Sequence, residues 1–232
     1  MVCGTKHCIN KFQNMHFMIC NDVIERVECY KYLGVWFDSL LKWDVNVTGI
    51  CKKVSQRIGL VSRLRKFVPL KTTKLLATSL AIPYFDYCNL VWYNCVQCSK
   101  SKLQVLYNRL ARVVLNEDPR THISDMFNFL GWKTLDVRSN INTACMVFKC
   151  LKGDAPCYLQ SNFSAVNMHH SYNTKSSVGG CLKQHKALTQ AGQRTFHYRG
   201  VGTWNKLPPN LRSLNCTTNV FKSKISEYYS CT

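Results

Sequence analysis

The lysine and arginine side chains are the groups in this sequence whose number and spacing most clearly indicate a chemistry. The 232 residues include 31 Lys or Arg and 12 Asp or Glu, so the formal net charge is +19 at pH 7. Residues 45–85 and 155–226 contain no acidic residue at all. A solvated surface usually mixes both signs, because unbroken positive runs repel themselves. The two acid-free stretches therefore predict surfaces that bind a polyanion, with nucleic acid as the first partner to consider. The alternative is a basic surface without a specialised role.

The basic residues expected to contact phosphates lie on predicted helices and in a basic carboxy-terminal segment. In residues 46–67, apolar residues recur at helical spacing and basic residues occupy the other side, which predicts an amphipathic helix. Towards the carboxyl end, His170, Tyr172, Tyr198 and Trp204 alternate with basic residues, a pattern that suits single-stranded RNA. Trp204 is nevertheless expected to be a core anchor, since large aromatic residues more often serve packing. The candidate nucleic-acid-binding residues are Lys52, Lys53, Arg57, Arg63, Lys66, Arg109, Arg112, Lys175, Arg194 and Arg199.

The 14 cysteines are the second group with chemical potential. Cys95 and Cys98 have the two-residue spacing of a zinc knuckle, and Cys88 and His122 are the residues that could complete a set of four ligands. A second pair at similar spacing is missing, so we expect reduced structural thiols and no metal site. The sequence shows no signal-peptide pattern and no apolar run near the roughly 20 residues that span a bilayer. We therefore expect an intracellular protein, nuclear or cytoplasmic, without a membrane partner.

The elements that position these residues are predicted to be mainly α-helical, with a small amino-terminal β element. Residues 1–43 are predicted to be β-rich, with a hairpin around Asn21-Asp22 and a strand at 30–38 that has Gly34 in its middle. Residues 44–117 are predicted to form a helical bundle, with helices at 46–67, 71–80 and 103–115. In the second of these, Leu75, Leu76, Ser79 and Leu80 are predicted to face inward. Residues 118–159 are predicted to be a helical extension with helices at 123–131 and 135–151. Residues 160–232 are predicted to be basic and partly irregular, extended through 203, with a final helix at 220–229.

Short motifs follow one another along almost the whole sequence. They are Tyr32-Leu33-Gly34-Val35 with Trp43, Pro83 to Trp92, Leu103-Gln104, Asn108 to Arg112, Leu130-Gly131-Trp132, Lys149 to Gly153, Pro156-Tyr158-Leu159, His170 to Thr174, Phe196-Tyr198-Arg199-Gly200, and Trp204-Asn205 with Leu207-Pro208. Their ordered combination resembles the carboxy-terminal portion of non-LTR (LINE-type) retrotransposon reverse transcriptases, and is most similar to the jockey, CR1 and Rex-like branches.

This resemblance implies the last edge of a polymerase palm, a helical thumb over residues 44–117, and a carboxy-terminal extension. It implies that Tyr32, Leu33 and Gly34 lie near the primer grip, where the main chain approaches the primer end; a core strand is the alternative. The palm of such polymerases binds two magnesium ions through an Asp-Asp pair, and no adjacent Asp-Asp occurs in this sequence.

We therefore expect no catalytic residue and no cofactor in this chain, since the magnesium ions would belong to the palm. The expected function is to hold RNA or an RNA–DNA duplex without extending a primer, alone or with the remainder of a reverse transcriptase. The alternatives are a decayed, inactive transposon-derived open reading frame and a subunit that completes a polymerase in trans.

Overall fold

The computed structural model describes residues 1–12, 14–118, 120–166 and 179–231. Within it the chain forms two compact units, Met1–Trp132 (unit 1) and Lys133–Thr232 (unit 2). The boundary between them falls inside the predicted extension, because the helix at Ile123–Leu130 buries its apolar side chains in unit 1. The candidate residues His170, Tyr172 and Lys175 lie outside the described residues.

Unit 1 begins with a short helix α1 (Lys6–Lys11) and two antiparallel hairpins. Strands β1 (Phe17–Ile19) and β2 (Asp22–Ile24) form the first hairpin, which confirms the hairpin predicted around Asn21-Asp22. Strands β3 (Cys29–Tyr32) and β4 (Val35–Asp38) form the second, with Tyr32 opposite Val35. The prediction of a single strand at 30–38 is wrong. Leu33 (φ 45°) and Gly34 (φ 83°) both adopt the left-handed conformation that a tight two-residue hairpin turn requires.

The helices of unit 1 follow the β element and agree with most of the predicted positions. Pro69 precedes the second long helix, and the chain breaks again at Ala81 before Pro83, as predicted. The last long helix begins six residues earlier than predicted, at Gln97. The helices are α2 (Asp44–Leu64), α3 (Leu70–Leu80), α4 (Ile82–Asp86), α5 (Asn89–Trp92), α6 (Gln97–Leu115) and α7 (Ile123–Leu130).

Helices α2 and α6 lie side by side and run parallel. Near the start of both, Ser99 Oγ donates a hydrogen bond of 3.1 Å to Asp44 Oδ1. Near the end of both, Arg65 Nη1 donates one of 3.0 Å to the Val113 carbonyl oxygen. The two helices therefore run in the same direction and begin and end at about the same level.

The core of unit 1 lies between α2, α3, α4, α6 and α7. The ring of Tyr107, which is fully buried, stacks on Trp132 at 5.3 Å and meets Phe85 and Phe127 edge to face at the same distance. On α3 the prediction of inward-facing Leu75 and Ser79 is wrong. Leu75 is 64% exposed, and the buried positions are Thr73 and Ala77, whose small side chains allow close helix approach.

Unit 2 is also helical around its own core. Phe148 stacks on Phe221 with ring centroids 3.9 Å apart, and Trp204 packs against the same ring. The helices predicted at 135–151 and 220–229 are confirmed and slightly longer. The prediction of an extended chain through 203 is wrong, because Phe196–Asn205 is a helix. The helices are α8 (Leu135–Lys152), α9 (Cys157–Gln160), α10 (Gln190–Gln193), α11 (Phe196–Asn205), α12 (Pro209–Arg212) and α13 (Thr218–Cys231).

Among the described residues, none of the helices combines the length and the apolar character that crossing a membrane requires.

Candidate nucleic-acid interface

Helix α2 presents part of the predicted basic set on the side opposite its buried stripe. The stripe consists of Val47, Val54, Ile58 and Val61. Lys52 and Arg63 are exposed on the other side, eleven residues and hence about 16 Å apart along the helix axis. Lys66 is exposed just beyond the end of the helix. The predicted arrangement of these residues on the solvent side of an amphipathic helix is thus found.

Helix α6, the neighbour of α2, carries a second row of basic residues. Lys102 and Arg109 are seven residues apart, so they share one helix face, and both are exposed. Burial raises the pKa of the Cys51 thiol on α2, and the nearby Lys102 ammonium offsets part of that rise. Lys102 therefore lies near Cys51 on α2. Lys102 is not among the site residues predicted from the sequence, although its seven-residue spacing from Arg109 is the signal that identifies it.

These two rows, Lys52 and Arg63 on α2 with Lys102 and Arg109 on α6, are called the paired basic face below. Both helices together contain a single acidic residue, Asp44 at the first position of α2. Its carboxylate already accepts the hydrogen bond from Ser99. Within the two helices, nothing of opposite sign lies between the basic side chains, which leaves their charge available to phosphate groups.

Three other predicted residues of unit 1 lie elsewhere or are less accessible. The Lys53 ammonium lies 5.8 Å from the centroid of the Tyr84 ring, which belongs to α4 and not to α2 or α6. Arg57 and Arg112 are half-buried. The Nε atom of Arg112 is buried without a hydrogen-bond partner among the described residues, so part of its guanidinium faces the protein.

In unit 2, the predicted residues Arg194 and Arg199 are both half-buried. Arg194 directly follows α10, and Arg199 Nη2 donates a hydrogen bond of 3.3 Å to Ser139 Oγ on α8. The Arg199 guanidinium thus connects α11 to α8, and this structural contact accompanies its predicted role in binding phosphate. Trp204 is 2% exposed and donates its indole N–H to the Gly180 carbonyl oxygen, which confirms its expected role as a core anchor.

The turn of the second hairpin is exposed. Tyr32 and Leu33 are 59% and 72% exposed, so the core-strand alternative for them is wrong. Gly34 has positive φ, and a Cβ atom there would lie 3.4 Å from the Tyr87 ring. The expectation that this turn contacts a primer end stays a prediction.

The two cysteines with zinc-knuckle spacing have different environments. Cys95 is buried, which raises the pKa of its thiol to about 11, whereas Cys98 is exposed. A thiol with such a high pKa does not readily supply the thiolate that zinc requires. Among the described residues, no group of three or more His, Cys, Asp or Glu side chains is placed to hold a metal ion.

Comparisons of this chain with models of known protein families, with curated proteins and with solved structures find no match.

Proposed function

We propose that the paired basic face binds RNA or an RNA–DNA duplex through its phosphates, as the thumb-like part of a retrotransposon reverse transcriptase that does not itself extend the primer. The observation that supports this best is the parallel arrangement of α2 and α6, two neighbouring helices that each expose a row of cations. The ordered motifs from Tyr32 to Pro208 support the assignment to this class of polymerase.

The contact would position a duplex without reading its sequence. Lys and Arg on a helix surface reach phosphate oxygens, and phosphate contacts carry no base information. A-form duplexes expose a shallow minor groove and 2′-hydroxyl groups, so recognition by shape is expected. Four cations that neutralise about four phosphates predict that the logarithm of affinity falls with the logarithm of salt concentration with a slope of about −3.6.

The test is fluorescence anisotropy with a labelled RNA–DNA duplex at several salt concentrations. Replacement of Lys52, Arg63, Lys102 and Arg109 by Ala is expected to remove most of the binding and most of the salt slope. The matched control replaces four exposed lysines of the amino-terminal part of unit 1, Lys6, Lys11, Lys31 and Lys42, and so removes the same net charge. Equal losses in both variants would mean that only the overall charge attracts nucleic acid. Absent or salt-insensitive binding by the unchanged protein would contradict the proposal outright.

The second part of the proposal concerns catalysis. With magnesium and a primed template, the purified chain is expected to add no nucleotide, because two-metal phosphoryl transfer needs clustered carboxylates. If the chain serves a longer polymerase, mixing it with separately expressed fingers and palm is expected to increase primer extension. Extension by the purified chain alone would overturn this part.

A further inference from the structure

A cleft of about 360 Å³ opens in unit 1 between the β3–β4 hairpin, α2 and α4. Its volume lies at the small end of the range of about 300–1,000 Å³ that is typical of small-ligand sites. Trp36, Tyr84 and Tyr87 supply aromatic walls, and Trp36 and Tyr87 are 38% and 54% exposed. The cleft is therefore open to solvent and has aromatic rings in its lining.

Asn46 lines this cleft and carries an unsatisfied hydrogen-bond donor. The residue is 5% exposed and lines the cleft. Its Oδ1 accepts a hydrogen bond of 3.1 Å from the Trp36 main-chain N–H, and this bond fixes which end of the amide is the oxygen. Its Nδ2 is buried and has no hydrogen-bond partner among the described residues. Buried donors are normally paired, so an orphaned donor beside a cleft indicates an acceptor that a ligand supplies.

Lys53 supplies positive charge at the same cleft. Its side chain is exposed and lines the cleft, with the ammonium 5.8 Å from the centroid of the Tyr84 ring. Aromatic rings for stacking, one fixed hydrogen-bond donor and one cation are three features that a single nucleotide can satisfy together. The base stacks on the rings, a carbonyl oxygen or ring nitrogen accepts from Asn46, and a phosphate meets Lys53. An apolar side chain of a peptide would leave both the Asn46 donor and the Lys53 charge unsatisfied.

We propose that this cleft binds a single nucleotide, either free or as one unstacked residue of a single strand. Asn46 Nδ2 donates to the base, the rings of Trp36, Tyr84 and Tyr87 hold it by stacking, and Lys53 Nζ holds its phosphate. This site is distinct from the paired basic face, since Lys53 and Asn46 belong to neither of its rows. The proposal does not rest on duplex binding.

Gly49 allows the cleft to be filled without disturbing the fold. It lines the cleft on α2, and a Cβ atom there would meet no heavy atom within 4 Å. Gly49→Leu is therefore expected to project a side chain into the cleft and exclude the ligand. Gly59 lies on the same helix, does not line the cleft and likewise has open space around a Cβ atom. Gly59→Leu is the matched control.

A second variant tests the donor directly. Asn46→Asp keeps an oxygen to accept from the Trp36 N–H and replaces the Nδ2 donor with another acceptor. Position 46 is in the first turn of α2, where the helix N-terminus favours a negative charge and offsets part of the cost of burying the carboxylate. Retained folding is checked by thermal unfolding of each variant.

The experiment titrates guanosine 5′-monophosphate, whose base offers the O6 and N7 acceptors, and follows the Asn46 side-chain NH₂ by ¹⁵N NMR together with calorimetry. We expect saturable binding with a shift of the Asn46 signals, and at least about tenfold weaker binding in Gly49→Leu and Asn46→Asp but not in Gly59→Leu. Titration of a single-stranded RNA decamer on the same variants separates a strand residue from a free nucleotide as the occupant.

The outcomes that would overturn the proposal are specific. They are no binding of either nucleotide or strand, equal binding by inorganic phosphate alone, equal binding by indole without phosphate, or binding that survives Gly49→Leu in a folded variant. The variant that lacks all four residues of the paired basic face is expected to bind guanosine monophosphate normally. Gly49→Leu is expected to bind the duplex normally. Failure of one proposal is thereby distinguished from failure of the other.

Discussion

The phenolic hydroxyl of Tyr87 donates a hydrogen bond of 2.6 Å to the main-chain carbonyl oxygen of Leu33, 54 residues earlier in the chain. Leu33 and Gly34 form the turn of the second hairpin, and the Tyr87 ring lies directly beside Gly34. A two-stranded hairpin is marginally stable by itself. The bond from Tyr87 therefore helps to hold the hairpin tip against the helical part of unit 1.

Tyr87→Phe removes this hydrogen bond and keeps the ring. We expect the free energy of unfolding to fall by about 0.5–1.5 kcal/mol, and the amide of Trp36 in β4 to exchange faster with solvent. Urea denaturation and hydrogen exchange measure the two effects. Tyr32→Phe, on the same hairpin with an exposed side chain, is the control and should change neither. An unchanged exchange rate in Tyr87→Phe would show that the hairpin is held by other contacts.

Two glycines in α11 are expected to respond in opposite ways to alanine. A Cβ atom at Gly200 would lie 3.0 Å from Val147 Cγ2 and 3.2 Å from the Phe163 ring, so Gly200→Ala overpacks the core of unit 2. We expect a loss of about 1–3 kcal/mol in the free energy of unfolding. Gly202 has open space around a Cβ atom, and Gly202→Ala should gain up to about 1 kcal/mol through helix propensity. Chemical denaturation of both variants measures the difference. An unchanged free energy of unfolding in Gly200→Ala would mean that the core rearranges to accommodate the added methyl group.

The two cysteines of the zinc-knuckle spacing should differ in reactivity. Cys95 is 4% exposed and burial raises the pKa of its thiol to about 11, whereas Cys98 is exposed. In the folded protein at pH 8, iodoacetamide should modify Cys98 and leave Cys95 intact, because the thiolate is the nucleophile. Mass spectrometry of the labelled peptides measures this, with labelling in urea as the control. Modification of Cys95 at the rate of Cys98 would contradict the buried position.

The stability of unit 2 should depend on the protonation of His197. Burial, and to a smaller extent the charge of His185, lower the pKa of His197 from its ordinary value of 6.5. The unfolded state therefore binds more protons between the two values, and stability should fall as the pH drops below about 6.5 and level off below the folded-state pKa. The rings of His185 and Phe163 face His197 at 4.7 and 5.6 Å.

Thermal unfolding between pH 5 and 8 tests this dependence. His197→Phe should flatten it, because the titrating group is removed. His16→Gln changes an exposed histidine of unit 1 and should leave it unchanged. A profile that His197→Phe does not alter would assign the pH dependence to another group.

The long helices could be predicted from sequence because their periodicity reflects burial directly. Val47, Val54, Ile58 and Val61 recur at helical spacing and are all buried on α2. The hairpin turn at Leu33-Gly34 was missed because leucine rarely adopts positive φ, so the first turn residue carried no turn signal. Helix α11 was missed because Gly200 and Gly202 lower its intrinsic propensity, while burial of Val201 and Trp204 stabilises it.

The candidate sites were predictable only in part, because they also depend on contacts between distant parts of the chain. The basic side of α2 follows from its own periodicity. That the helix of Lys102 and Arg109 lies next to α2 depends on contacts such as that between Ser99 and Asp44, 55 residues apart, which no local pattern reveals. The cleft beside Asn46 likewise requires the hairpin, α2 and α4 to meet, so its orphaned donor is visible only in three dimensions.

The parallel course of α2 and α6 also bears on how fast unit 1 can fold. Neighbouring helices that run antiparallel can form their contacts one after another, starting from the short loop that joins them. In contrast, the two hydrogen bonds between α2 and α6 connect residues 48 and 55 positions apart in the chain. The intervening chain with α3, α4 and α5 must loop back before these hydrogen bonds can form. This loop closure costs conformational entropy before the contacts between the helices stabilise the fold. We therefore expect unit 1 to reach its native state more slowly than an up-and-down bundle of the same size.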